Sequence, residues 1–225
     1  MSVRYVLLDF DGTLTAPEHV TDAFLAEYRA ELLAVLAEAH GGVWDRALAA
    51  VRAASPQLAW TLDAYEACPV AADPYILASA VATRVLATLD RGDELRALPN
   101  DLYARLYSKH RAPFRPEVPA VLEALPDYAP RDTWAALGRP TWLRRGAFFD
   151  ALADVWGSDA DGPASTIFCG DIWELDLALP SALGCAVHLV ERAAPLVTHE
   201  AERAAVAMTP GAGISRDLWG LVERI

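Results

Sequence analysis

Lysine is almost missing from this chain of 225 residues: Lys109 is the only one, so nearly all positive charge is carried by arginine. Cysteine is scarce too. Cys68, Cys169 and Cys185 are odd in number and widely spaced, with no CxxC pair and no Cys/His cluster. That pattern argues against a zinc site or a disulfide framework and fits buried thiols in a reducing compartment. No apolar run approaches the roughly 20 residues that span a bilayer. The first apolar stretch, Tyr5 to Leu8, is too short for the core of a signal peptide and runs straight into Asp9. A cytoplasmic protein with no membrane partner is expected. The net charge of −12 gives a surface that repels nucleic acid and anionic lipid, so no nucleic-acid partner is expected either.

What is abundant is apolar. Hydrophobic residues make up 54% of the chain and charged ones 22%, enough to bury a sizeable core. Residues 3 to 8, Val-Arg-Tyr-Val-Leu-Leu, read as a buried parallel strand broken by Asp11-Gly12. Thr15-Ala-Pro-Glu18 has capping-box spacing, and the stripe Val20, Phe24, Tyr28, Leu32, Val35 and Leu36 predicts a helix ending near Gly41-Gly42. From about 43 to 110 the alanine- and leucine-rich sequence predicts helices near 43–54, 57–67, 74–89 and 99–109. Beyond Pro113, Pro116 to Leu125 reads as helix and Thr133 to Leu137 as a weak strand. Phe148 to Val155 reads as a short strand, with helix as the alternative. Ser165 to Cys169 and Ala186 to Val190 read as strands flanking a helix at Leu177 to Leu183, and Ala204 to Met208 as the last strand. The alternation predicts an α/β fold, a doubly wound parallel sheet formed by residues 1–15 and 113–225. Residues 16–112 would be an inserted, all-helical cap over the carboxyl edge of that sheet, where open α/β sheets bind ligands.

The strongest chemical signal follows the first strand: Asp9-Phe-Asp11-Gly12-Thr13-Leu-Thr15. Residues two apart in an extended segment point the same way, so Asp9 and Asp11 project together. Two such carboxylates repel unless a cation lies between them, and magnesium suits a site of one or two carboxylates with water and phosphate oxygens. Gly12 permits the turn, and Thr13 can fix it by local hydrogen bonding.

This segment resembles the first motif of the haloacid dehalogenase-like superfamily, and the insertion after it resembles that superfamily's first type of cap. Ser165-Thr-Ile-Phe-Cys-Gly-Asp171-Ile-Trp-Glu-Leu-Asp176 is similar to the family's fourth motif: a strand, Gly-Asp, and a second acid five residues on. The resemblance implies a Rossmann-like core, Asp9 as nucleophile and Asp11 as general acid and base. It also implies Mg2+ held by Asp9, by Asp11 through its carbonyl, and by Asp171, with Asp176 behind the metal. Thr13 would help bind substrate, and Trp173, beside Asp171, would wall the site.

Two elements of the family pattern are not found. The hydroxyl residue that should hold the phosphate falls near Leu137 or Gly138, beside Arg139, and neither Leu137 nor Gly138 has a hydroxyl; Thr133 and Thr141 are nearby. The lysine that should precede the fourth motif is missing, since no lysine or arginine lies between Asp150 and Gly170. Arg139, Arg144, Arg145 and Lys109 are the candidate substitutes, with Gly138 and Arg139 placed at the substrate. His110, His188 and His199 are isolated, and His188 reads as a packed histidine. The resemblance therefore implies a magnesium-dependent phosphatase of a small phosphorylated metabolite. A weak or inactive relative that binds a phosphorylated ligand or a protein partner is the alternative, and a phosphomutase is also open. A dehalogenase is disfavoured, because dehalogenases of this superfamily lack the second aspartate and need no metal.

Overall fold

A computed structural model describes residues 3–37, 41–55, 59–62, 65–125 and 145–225. In chain order its elements begin with β1 (Tyr5–Leu8), α1 (Thr21–Leu36), α2 (Gly41–Ala54), β2 (Ala59–Leu62), β3 (Tyr65–Pro69), α3 (Pro74–Thr88) and α4 (Leu98–Tyr107). They continue with α5 (Val118–Glu123), α6 (Arg145–Trp156), β4 (Thr166–Gly170), α7 (Ala178–Ala182), β5 (Ala186–Val190), α8 (Glu200–Met208), β6 (Gly213–Ser215) and α9 (Trp219–Val222). Strands β1, β4, β5 and β6 form one parallel sheet in that spatial order, while β2 and β3 make a separate antiparallel pair.

The period-2 alternation of strand side chains assigns the two sheet faces. Val6, Leu8, Ile167, Cys169 and Val190 pack with Val118 and Val121 of α5 and Leu218 and Leu221 at α9. Tyr5, Leu7, Phe168, Val187 and Leu189 pack on the opposite face with Leu152 and Trp156 of α6 and Val206 of α8. Helices thus cover both faces, as a parallel sheet requires. A separate apolar cluster draws its members from residues 24 to 107, with Phe24, Tyr28, Trp44, Val81 and Leu102 at its centre. No helix among the described residues is long and apolar enough to cross a membrane.

Several expectations are corrected. The insertion is not all-helical: β2 and β3 occupy 59–62 and 65–69, where a helix was expected over 57–67, and Trp60, Thr61 and Tyr65 are the strand-favouring residues in that alanine-rich stretch. Thr15 caps nothing. Its hydroxyl donates to the Phe10 carbonyl (3.3 Å), and α1 starts at Thr21 after a short 3-10 turn, Pro17–His19. That helix ends at Leu36, and Gly41-Gly42 opens α2 rather than closing α1. Phe148 to Val155 is helical, because Phe148, Leu152 and Trp156 recur at the spacing of one helix face. Ala204 to Met208 is also helix. Its start is fixed by a reciprocal cap in which the His199 N–H donates to Glu202 Oε2 at 2.8 Å, and the last strand is Gly213–Ser215. The expected strand at 133–137 lies outside the described residues.

Candidate metal and phosphoryl site

The register of the sheet brings the two acidic segments together. Leu8 pairs with Cys169, and the Asp9 N–H donates to the Cys169 carbonyl at 2.9 Å, so both chains leave the sheet at the same carboxyl edge. Gly12 is then pressed against Asp171. Its φ is +91°, and a Cβ built there would lie 2.3 Å from Asp171 Oδ2. Only glycine tolerates both the conformation and the approach. Gly170 plays a similar part, since a Cβ there would meet Asp176 Cβ at 2.3 Å. After β4 the chain makes a turn of π-helix, Trp173–Leu177, a geometry common at functional sites. It turns Asp176 back to accept from the N–H groups of Asp171 (3.1 Å) and Ile172 (2.8 Å).

Carboxylate oxygens of Asp9, Asp171 and Asp176 consequently all lie within 4.8 Å of one another. Burial pushes all three carboxyls well above the usual range. The negative charges of Asp176 and Asp11 add to the effect at Asp9, and that of Asp171 adds to it at Asp176. At Asp171 the Arg192 guanidinium opposes the rise, while Asp9 and Asp73 reinforce it. Asp171 Oδ1 is buried without a hydrogen-bond partner. Three converging carboxylates with an unsatisfied oxygen are what a divalent cation would relieve, and an all-oxygen donor set fits a hard ion such as Mg2+.

Asp11 differs from its expected neighbours. Its carboxylate is outside this cluster and faces the insertion, accepting from Tyr107 Oη at 2.7 Å and from Thr15 Oγ1 at 3.3 Å. Burial raises its pKa, and those two hydrogen bonds oppose the rise. The third carboxylate of the cluster is instead Asp176, which was expected behind the metal. Thr13 is fully buried, and its side chain favours the ionised form of Asp9, although Oγ1 makes no hydrogen bond of regular geometry. Trp173 packs against the Leu152–Phe168–Leu177 cluster, and its N–H donates to Glu202 Oε1 at 3.3 Å. Leu137, Gly138, Arg139, Arg144, Thr133 and Thr141 lie outside the described residues, as does the side chain of Arg145.

Among the described residues the cation at the acids is Arg192, which motif spacing did not reveal. Its Nη1 is 3.9 Å from Asp171 Oδ2 and also donates to the Asp171 carbonyl. The rest of the guanidinium is held by Glu202 and the Val197 carbonyl. Arg115 donates to the Gly12 carbonyl at 2.8 Å and so braces the loop from behind. Lys109 is elsewhere: it pairs with Glu27 at 2.7 Å, as does His110 at 2.6 Å. His188 is packed, bonded to Ser215 Oγ at 2.7 Å and facing Arg224 at Nδ1, with its pKa pushed down to about 4 by burial.

Asp73, at the N-terminus of α3, was also missed. It accepts from the N–H groups of Tyr75 (2.8 Å) and Ile76 (2.9 Å), and burial, reinforced by the charge of Asp11, pushes its pKa up to about 7. Ala72 and Ile172 are buried together where this helix start meets the Asp171 turn. Asp73 thus binds its proton more tightly in the folded chain than in the unfolded one. Its contribution to stability is complete below about pH 4, the ordinary carboxylate value. That contribution is lost as pH rises toward about 7. In divalent-free buffer the thermal midpoint is expected to fall across this window. Asp73→Asn, which keeps the capping oxygen, should make the fall shallower; an unchanged slope in a melting series would contradict the assignment.

Comparison with models of known protein families and with curated proteins returned no match to this chain.

Proposed function

We propose that the chain is a Mg2+-dependent phosphomonoester hydrolase of the haloacid dehalogenase-like kind, acting on a small phosphorylated metabolite in the cytoplasm. One observation carries the reading: acids leaving two adjacent parallel strands converge, with carboxylate oxygens of Asp9, Asp171 and Asp176 within 4.8 Å. The unbridged, buried thiols of Cys169 and Cys185 support the compartment. Mg2+ held by the three carboxylates, with the Asp11 carbonyl, would offset charge on the phosphoryl oxygens.

The chain's own residues supply the rest. An Asp9 oxygen attacks phosphorus, the ester P–O bond breaks, and the phosphoryl group is carried as an aspartyl-phosphate. Asp11, whose pKa burial raises, gives its proton to the departing alkoxide and then takes one from the water that attacks the same phosphorus. Inorganic phosphate leaves and Asp9 is restored. Tyr107, donating to Asp11 from α4, orients the acid and ties the insertion to the site.

A second reading, a binding protein with little or no turnover, is favoured by the engagement of Arg192. Its donors are taken up by Glu202, Val197 and the Asp171 carbonyl, leaving little for a phosphate oxygen. Release of inorganic phosphate from p-nitrophenyl phosphate, with and without Mg2+, separates the two. Metal-dependent turnover is expected; a melting temperature raised by Mg2+ with no turnover across a panel of phosphate esters would establish the binding protein instead.

A further inference from the structure

Beside the acid cluster, at the carboxyl ends of β5 and β6, lies a cleft of about 530 Å³ of opposite character. It is lined by Arg115, Glu191, Arg192, Ala193, Arg203 and Arg216. Four guanidiniums against one carboxylate stand out in a chain of net charge −12. Glu191 does not neutralise them: Arg203 Nε is 2.6 Å from one of its oxygens and Arg216 Nε is 3.9 Å from the other, so a single negative charge is shared by two cations. Arg216 has a side chain 92% exposed and keeps the rest of its donor fork. Arg115 is nine-tenths buried, yet among the described residues its Nε has no hydrogen-bond partner and the carboxylate it pairs with, Glu18, is 4.0 Å away. Arg192 is saturated and forms the rigid back wall. Among the described residues the fold thus assembles more guanidinium donors than nearby acids satisfy, in a concave site at the ligand-binding edge of a parallel sheet.

We propose that this cleft binds a small oxyanion, the phosphate or carboxylate group of a metabolite, at a site separate from the acid cluster. Planar guanidinium forks match the oxygens of such groups, and a half-open cleft of this size admits a small anion, whereas a nucleic-acid backbone needs an extended basic track. Glu191, poised between Arg203 and Arg216, acts as a competing internal anion that an incoming ligand must displace.

Titration of the full chain with inorganic pyrophosphate in divalent-free buffer, followed by calorimetry, tests this apart from any hydrolysis. One equivalent is expected to bind, more weakly as salt is raised. The exposed Arg216→Ala change should weaken binding about tenfold, the worth of one charge-assisted hydrogen bond. Glu191→Gln should tighten it by removing the competitor. Binding should persist in Asp9→Asn, which separates this cleft from the acids. Absence of binding to the unaltered chain, equal affinity in Arg216→Ala, or loss of binding in Asp9→Asn would overturn the proposal.

Discussion

Asp9→Asn is expected to lower Mg2+-dependent release of phosphate from an aryl phosphate by at least about a thousandfold, because the amide that replaces the carboxylate is no nucleophile toward phosphorus. The substitution is nearly isosteric, so the effect should come without unfolding. Asp9 is crowded by the charges of Asp176 and Asp11, and those charges raise its pKa in addition to burial. Removing its charge in metal-free protein relieves that repulsion, so the melting temperature should hold or rise while activity disappears. Retained turnover would refute Asp9 as the nucleophile; a collapsed melting temperature would show that its charge is needed for folding rather than chemistry.

Arg192→Ala should produce the largest loss of stability. Its side chain is 1% exposed, and the Glu202 carboxylate it pairs with is 0% exposed. Taking away one member of a buried pair leaves the other charged and without its counter-ion, at a cost of about 3–5 kcal/mol. The carbonyls of Asp171 and Val197 lose their donor at the same time. Arg192→Met combined with Glu202→Gln should recover part of the loss, since glutamine still accepts from the His199 N–H while neither member of the pair is left charged. Urea unfolding measures both, and a cost below about 1 kcal/mol for Arg192→Ala, the worth of an exposed pair, would contradict the assignment.

Much of this site was legible because it is written in local chain geometry. An apolar run followed by Asp-x-Asp-Gly, and another followed by Gly-Asp, placed Asp9, Asp11 and Asp171 at strand ends, and those ends adjoin in the sheet. What the sequence withheld is tertiary. Tyr107 reaches Asp11 across 96 positions, and nothing near either residue signals the contact. Arg192 follows β5, while motif spacing directed the search for a cation to the residues before β4. Asp73 is an ordinary helix cap until α3 is docked on the Asp171 turn. Asp176 joined the cluster because a π-helical turn, not an α-helical one, follows β4. The fold errors have a similar cause: Ala204 to Met208 is a short apolar run that suits strand or helix, and the buried Glu202, whose side chain caps the start of α8, decided between them.

The proposal that the converging carboxylates of Asp9, Asp171 and Asp176 hold a divalent ion is tested most directly by calorimetric titration of the metal-free chain with MgCl2. Binding to one site is expected, and Asp171→Asn, which takes away the carboxylate lying against Gly12, should abolish it. No binding to the unaltered chain, or undiminished affinity in Asp171→Asn, would contradict the account.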